Sequence, residues 1–148
     1  MATVALLDVN VLVALFDPDH VHHDLAHEWF AEDGAKGWAT CPITENGFVR
    51  VVSNPKYQPD ALRPSAVLDR LRKFCSSSHH HFWADTVSLR DESLFAPAAV
   101  RGHGQLTDIY LLALARKMGG RLATFDRTIS LSAVKGAKPD HLAIIEPA

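Results

Sequence analysis

The stretch LLDVNVLVALFDP at positions 6–18 decides the fold. Residues 4–7 form an apolar run with no polar alternation, closed by Asp8. That pattern predicts a short strand buried on both faces, as in a parallel sheet. The apolar residues from 11 to 16 then predict a short helix that stops at Asp17-Pro18, because the position before a proline is turned away from helical geometry.

Outward from this unit the alternation of short apolar runs with amphipathic stretches continues. A second helix is predicted over 22–31, with Leu25, Trp29 and Phe30 on its apolar face, followed by a strand at 38–41. Pro42 suits the first turn of a third helix, which runs to about residue 52 and breaks before Asn54-Pro55. Pro64 opens a fourth over 64–74, and 81–84 reads as a strand. Residues 107–118 give the clearest helix, capped by Thr107 and ended by Gly119-Gly120. Strands at 122–125 and 142–145 complete the set. Five short strands separated by helices predict an α/β fold, a mostly parallel central sheet with helices on both faces.

The chain has 148 residues, 47% of them hydrophobic, and no repeat or Pro/Gly-rich linker, which sets the expected domain count at one. A formal net charge of −2 gives no global field toward nucleic acid or an anionic membrane, so any such contact must rest on local basic residues. The apolar N-terminus lacks a basic leading region and carries Asp8 and Asn10, so neither a secretion signal nor a membrane span is expected. Cys41 and Cys75 stand far apart without a CxxC pair and read as buried, reduced thiols.

Four acids are expected to converge. Asp8 and Asp126 each follow a predicted strand, and in open α/β sheets the carboxyl ends of the strands form the ligand-binding edge. Glu45 and Asp108 fall in the first turns of helices, which right-handed crossovers bring to that same edge. Helical spacing puts Glu45 on a stripe with Val49 and Val52, and Asp108 on one with Leu111, Leu112 and Ala115, so both should face inward. At about 6 Å and an effective dielectric near 20, each ionised pair repels by roughly 3 kcal/mol, and a cation or a proton must offset this. An all-oxygen donor set points to Mg²⁺ or Mn²⁺ rather than zinc. Taken singly, each acid could instead be a helix-dipole partner or a turn residue. Asp85, after another predicted strand, reads as a turn residue.

The segments LLDVNVLVALF at 6–16, TENGFVRV at 44–51, LTDIYLLALARKMGG at 106–120 and LATFDRTI at 122–129 resemble the PIN-domain nucleases, and among them the VapC-like ribonuclease toxins of toxin–antitoxin systems. The resemblance spans nearly the whole chain and implies a PIN-like nuclease domain over residues 1–148. It makes Asp8, Glu45, Asp108 and Asp126 the active-site acids and metal ligands, with Asn10, Thr107 and Thr124 in supporting positions. It implies metal-assisted hydrolysis of RNA that leaves a 5′-phosphate and a 3′-hydroxyl, in the cytoplasm, by the toxin of a type II pair with an antitoxin partner and a homodimeric state. Some members carry a further acid after the last one, where this chain has Arg127 and Thr128, which puts a second metal site of that kind in question.

Arg50, Lys56, Arg101, His103 and Arg127 are candidates for gripping substrate. The clusters His20, His22, His23 and His79, His80, His81 read as solvated turns, and Trp29, Trp38 and Trp83 as core or dimer contacts. A haloacid-dehalogenase-like phosphatase would need a second Asp where Asn10 stands, and a receiver module an early acidic pair that is absent. The competing reading from another class is a non-catalytic PIN-like scaffold that binds RNA or protein.

Overall fold

The computed structural model describes residues 3–77 and 79–147. Its centre is a five-stranded sheet of β1 (Ala5–Leu7), β2 (Trp38–Thr40), β3 (His80–Phe82), β4 (Arg121–Thr124) and β5 (Leu142–Ile144) in the order β3-β2-β1-β4-β5. All four pairings are parallel. The apolar run at the start of the chain has no alternation because both faces of β1 are covered. Leu6 packs with Ala39 and Leu122 on one face, and Ala5 and Leu7 pack with Trp38 and Ala123 on the other.

Helices α1 (Val9–Phe16), α2 (His23–Glu32), α3 (Pro42–Val52) and α4 (Pro64–Phe74) supply the second of these cores. Helix α5 (Leu106–Lys117), with Phe95, Ile129, Ala133 and Val134, supplies the first. Trp38 and Trp83 are buried and Trp29 is partly so, in agreement with a core role.

The sheet order matters for function. The chain steps outward from β1 to β2 and β3, then returns to the far side of β1 with β4. The order therefore reverses at the β1/β4 boundary, and in an open parallel sheet the crevice above the strand ends at such a reversal binds ligands. Asp8 follows β1 and Asp126 lies just past β4.

Several boundaries differ from the sequence reading. Helix α1 starts at Val9 rather than residue 11, because Asp8 caps it: Oδ1 accepts from the Val9 N–H at 2.8 Å. Thr107 is not the cap of α5. A 3-10 turn, His103–Gln105, leads into that helix, so the cap position falls at Gln105 and Thr107 is an exposed first-turn residue. The end of α5 is as expected, with Gly119 at a positive φ of 73°.

Of the two histidine clusters, His79 and His81 are exposed as expected, while His20, His22, His23 and His80 are partly buried. His23 Nδ1 and His27 Nε2 each lie 2.7 Å from a carbonyl of the last turn of α1, those of Ala14 and Leu15. They satisfy acceptors that a helix end leaves unpaired. His22 packs on Phe125 with ring centroids 4.6 Å apart. His80 belongs to β3, where it pairs with Trp38 in the sheet and packs on that indole at 4.6 Å.

Candidate active site

Asp8 is buried at the switch point with both carboxylate oxygens engaged. Oδ1 caps α1, and Oδ2 accepts from the Thr124 hydroxyl at 2.8 Å. Burial pushes its pKa up, opposed by the Thr124 and Val9 hydrogen bonds and reinforced by the charge of Asp126. Thr124, itself buried, also accepts from the Asp126 N–H at 3.1 Å, so one hydroxyl fixes two acids on adjacent strand ends. The chain then turns through Asp126, whose Oδ1 accepts from the backbone N–H and the hydroxyl of Thr128 at 2.7 and 2.6 Å.

Asp108 enters from the first turn of α5. Its pKa is pushed up to about 6, first by burial and then by the charges of Asp8 and Asp126. The three aspartates therefore share one electrostatic neighbourhood. Among the described residues, no Lys, Arg or His forms an ion pair with any of them; the four ion pairs lie elsewhere. This is negative charge held together by the fold and left uncompensated by protein cations.

Glu45 is at the same edge of the sheet but is turned toward β2 and β3. Its Oε2 accepts from the hydroxyl of Thr40, the last residue of β2, at 2.7 Å, and Thr40 Oγ1 lies 2.8 Å from His80 Nε2. The Thr40 hydroxyl has one proton and gives it to Glu45, so His80 Nε2–H is the donor in the second bond. The charge of Glu45 acts on Cys75 and His80, whereas the fields raising Asp108 come from Asp8 and Asp126. In this conformation the carboxylates are grouped as three aspartates with Glu45 to one side.

An open groove of about 600 Å³ is lined by Val9, Pro42, Ile43, Asn46, Gly47, Arg50 and Thr107. Val9 and Thr107 are the chain neighbours of Asp8 and Asp108, so the groove starts one residue away from two of the acids, none of which lines it, and follows α3 to Arg50. Gly47 permits this packing, since a Cβ there would sit 2.7 Å from Val9 Cγ2. A more enclosed, apolar cavity of about 410 Å³ between α1, α2, α3 and α4, lined by Leu12, Phe48 and Phe74 among others, holds no acid.

The remaining candidates divide. Lys56, Arg101 and His103 are exposed. Arg127 is exposed but held by an ion pair to Glu146 at 2.8 Å. Asn10 is exposed on the first turn of α1 and forms no hydrogen bond with the acids. Asp85 is exposed beyond β3. The sequence reading missed the group of Thr40, Cys75 and His80 around Glu45. The Cys75-x4-His80 spacing was visible, but only the β2/β3 pairing brings it to Glu45.

The PIN domain profile matches residues 5–135, a span that includes all four acids. The chain belongs to the PIN domain family. Among curated proteins this PIN domain is similar to ribonuclease VapC44 of Mycobacterium tuberculosis, 46% identical over 141 residues that cover 95% of this chain and 99% of the relative. It is also similar to ribonuclease VapC38 of the same organism, 49% identical over 123 residues, 83% of this chain and 85% of the relative. Among solved structures, M. tuberculosis VapC20, described as a sarcin-ricin loop cleaving toxin, superposes with a TM-score of 0.61 at 16% identity, over 91% of this chain and 99% of that one. That last likeness is one of fold. The sequence relatives make this a VapC-like PIN domain.

Proposed function

We propose that this PIN domain is a metal-dependent endoribonuclease, the toxin of a type II toxin–antitoxin pair. The observation that carries the reading is the set of Asp8, Asp108 and Asp126 at the β1/β4 switch point, mutually repelling and without a protein cation. Their donors are all oxygen, which suits a hard ion such as Mg²⁺ or Mn²⁺. When bound, such an ion supplies Lewis acidity, lowering the pKa of water and offsetting charge that develops on phosphoryl oxygens.

The protein's own residues do the rest. Asp8, Asp108 and Asp126 hold the ion, and Thr124 locks two of them in register, so their order does not have to be created at the moment of reaction. Glu45 joins the acids when it rotates off Thr40, and there it accepts a proton from the attacking water. The groove along α3 receives the RNA strand, with Arg50 on a backbone phosphate and Asn46 and Thr107 as hydrogen-bonding groups. Asn10, Lys56, Arg101 and His103, all exposed, are candidates for further contacts to the strand. Arg127 reaches substrate only by leaving Glu146. Hydrolysis in this mode leaves a 5′-phosphate and a 3′-hydroxyl.

A cognate antitoxin that covers the groove, a homodimeric state and a cytoplasmic location complete the proposal. No helix among the described residues is long and apolar enough to cross a membrane.

The test is sequencing of RNA ends after purified protein acts on total bacterial RNA with Mg²⁺. The proposal predicts discrete new 5′-phosphate ends that vanish in Asp8→Asn. An RNA pool unchanged by the wild type, under Mg²⁺ and Mn²⁺ alike, would favour the non-catalytic scaffold.

A further inference from the structure

Beside the aspartates, Glu45, Cys75 and His80 come together from three elements. A carboxylate oxygen, the Sγ and a ring nitrogen lie within 4.8 Å of one another. Cys75 is the residue that ends α4 and His80 is the first of β3, while Glu45 comes from α3. The three donors differ in kind: one thiolate sulfur, one imidazole nitrogen and one carboxylate oxygen. Hard ions are poorly served by such a mixture, and a borderline ion such as Zn²⁺ is well served. We propose that Glu45, Cys75 and His80 form a second metal site, for Zn²⁺ or an ion of its class, and that its occupancy keeps Glu45 away from the three aspartates.

The geometry needs little change. Tetrahedral zinc with sulfur at about 2.3 Å and nitrogen and oxygen at about 2.0–2.1 Å sets donor separations of roughly 3.3–3.6 Å, so donors that lie within 4.8 Å of one another close by at most about 1.5 Å. That movement lies within side-chain reach. Three protein donors leave the fourth corner of the tetrahedron to water.

The surroundings support it. Burial holds His80 below its ordinary pKa, so the ring is in the neutral form that binds metals. The ring is also held against the Trp38 indole; in the metal-free form its Nε2–H donates to Thr40 and the lone pair is on Nδ1, so coordination through Nε2 takes the other tautomer and releases Thr40. Cys75, whose thiol is raised to about 11 by burial and by the Glu45 charge, releases its proton to solvent when metal binds, and the cation then cancels the repulsion that raised it. Thr40 donates to Glu45 on the β3 side in the metal-free form, so the carboxylate is already oriented toward the other two donors.

The metal-binding half of the proposal stands on its own; the inhibitory half rests on the nuclease reading. Cobalt(II) is the probe for the first, because a thiolate ligand gives it a near-ultraviolet charge-transfer band. One equivalent added to metal-stripped wild type gives that band, and zinc displaces it. Cys75→Ser loses the band and Asp108→Asn retains it. No band in the wild type, or a band that persists in Cys75→Ser, overturns the site.

The second half is read with Mg²⁺-dependent RNA cleavage, which one equivalent of zinc suppresses in the wild type and leaves unchanged in Cys75→Ser. Cleavage by Cys75→Ser also certifies that the variant is folded. Zinc inhibition equal in both proteins overturns the inhibitory role. A cobalt band without any cleavage leaves the site standing and removes the nuclease; cleavage without a band does the reverse.

Discussion

Replacing Asp108 by Asn should make the metal-free protein more stable while removing its activity. In the folded chain the Asp108 carboxyl is pushed up to about 6 from 3.8, by burial and by the charges of Asp8 and Asp126. A carboxyl with a raised folded pKa binds its proton more tightly folded than unfolded. Its ionisation therefore costs nothing below about pH 4, costs progressively more between pH 4 and 6, and costs its full amount above. Converted entirely, the displacement is about 3 kcal/mol. Solvent still reaches this half-buried group, which reduces the expected gain for the neutral, nearly isosteric Asn to about 1–2 kcal/mol at pH 8. For a chain of this size that is a rise in Tm of about 3–6 °C. The assay is urea or thermal unfolding in EDTA at pH 8 and at pH 5, where the gain should shrink to about half. Added Mn²⁺ should raise the stability of the wild type and not that of the variant. A variant equally or less stable than wild type at pH 8 in EDTA would refute the claim that Asp108 is held in uncompensated repulsion.

The same electrostatics predict that Mn²⁺ affinity, measured by calorimetry, rises with pH up to about 6 and levels off above it, because metal must displace the Asp108 proton. Thr124→Val removes the hydroxyl that donates to Asp8 and accepts from the Asp126 N–H; it should cost about 1–3 kcal/mol in urea unfolding and shift the pH profile of cleavage upward. At Gly47, Ala places a Cβ 2.7 Å from Val9 Cγ2, and the forced separation of α3 from α1 should cost about 1–3 kcal/mol and lower cleavage more than metal binding.

Most of the fold was legible because burial on both faces leaves an unmistakable apolar run, as at Ala5–Leu7, and because Pro42, Pro64 and Gly119 punctuate the helices. The start of α1 was not, since a cap formed by Asp8 is also a candidate ligand and the two roles look alike in sequence. Strand β3 was placed one residue late at its start and two at its end because His80, His81 and Phe82 do not read as buried; as an edge strand it leaves both His81 and Phe82 exposed. For the site, strand ends and helix starts sufficed to bring Asp8, Asp108 and Asp126 to one edge. The direction taken by Glu45 was out of reach, because it depends on Thr40 and His80, which meet only through the lateral pairing of β2 with β3. Sequence spacing gives the level of a residue along its strand, and side-chain direction at a helix start is set by such neighbours.

The central claim, that Asp8, Asp108 and Asp126 bind a divalent ion used to hydrolyse RNA, is tested most directly by following cleavage of RNA by metal-stripped protein as Mn²⁺ or Mg²⁺ is restored. Wild type should be silent in EDTA and recover activity along a saturable curve, with Asp8→Asn and Asp108→Asn silent at every concentration. Cleavage by stripped wild type in EDTA, or by Asp8→Asn at the wild-type rate, would contradict it.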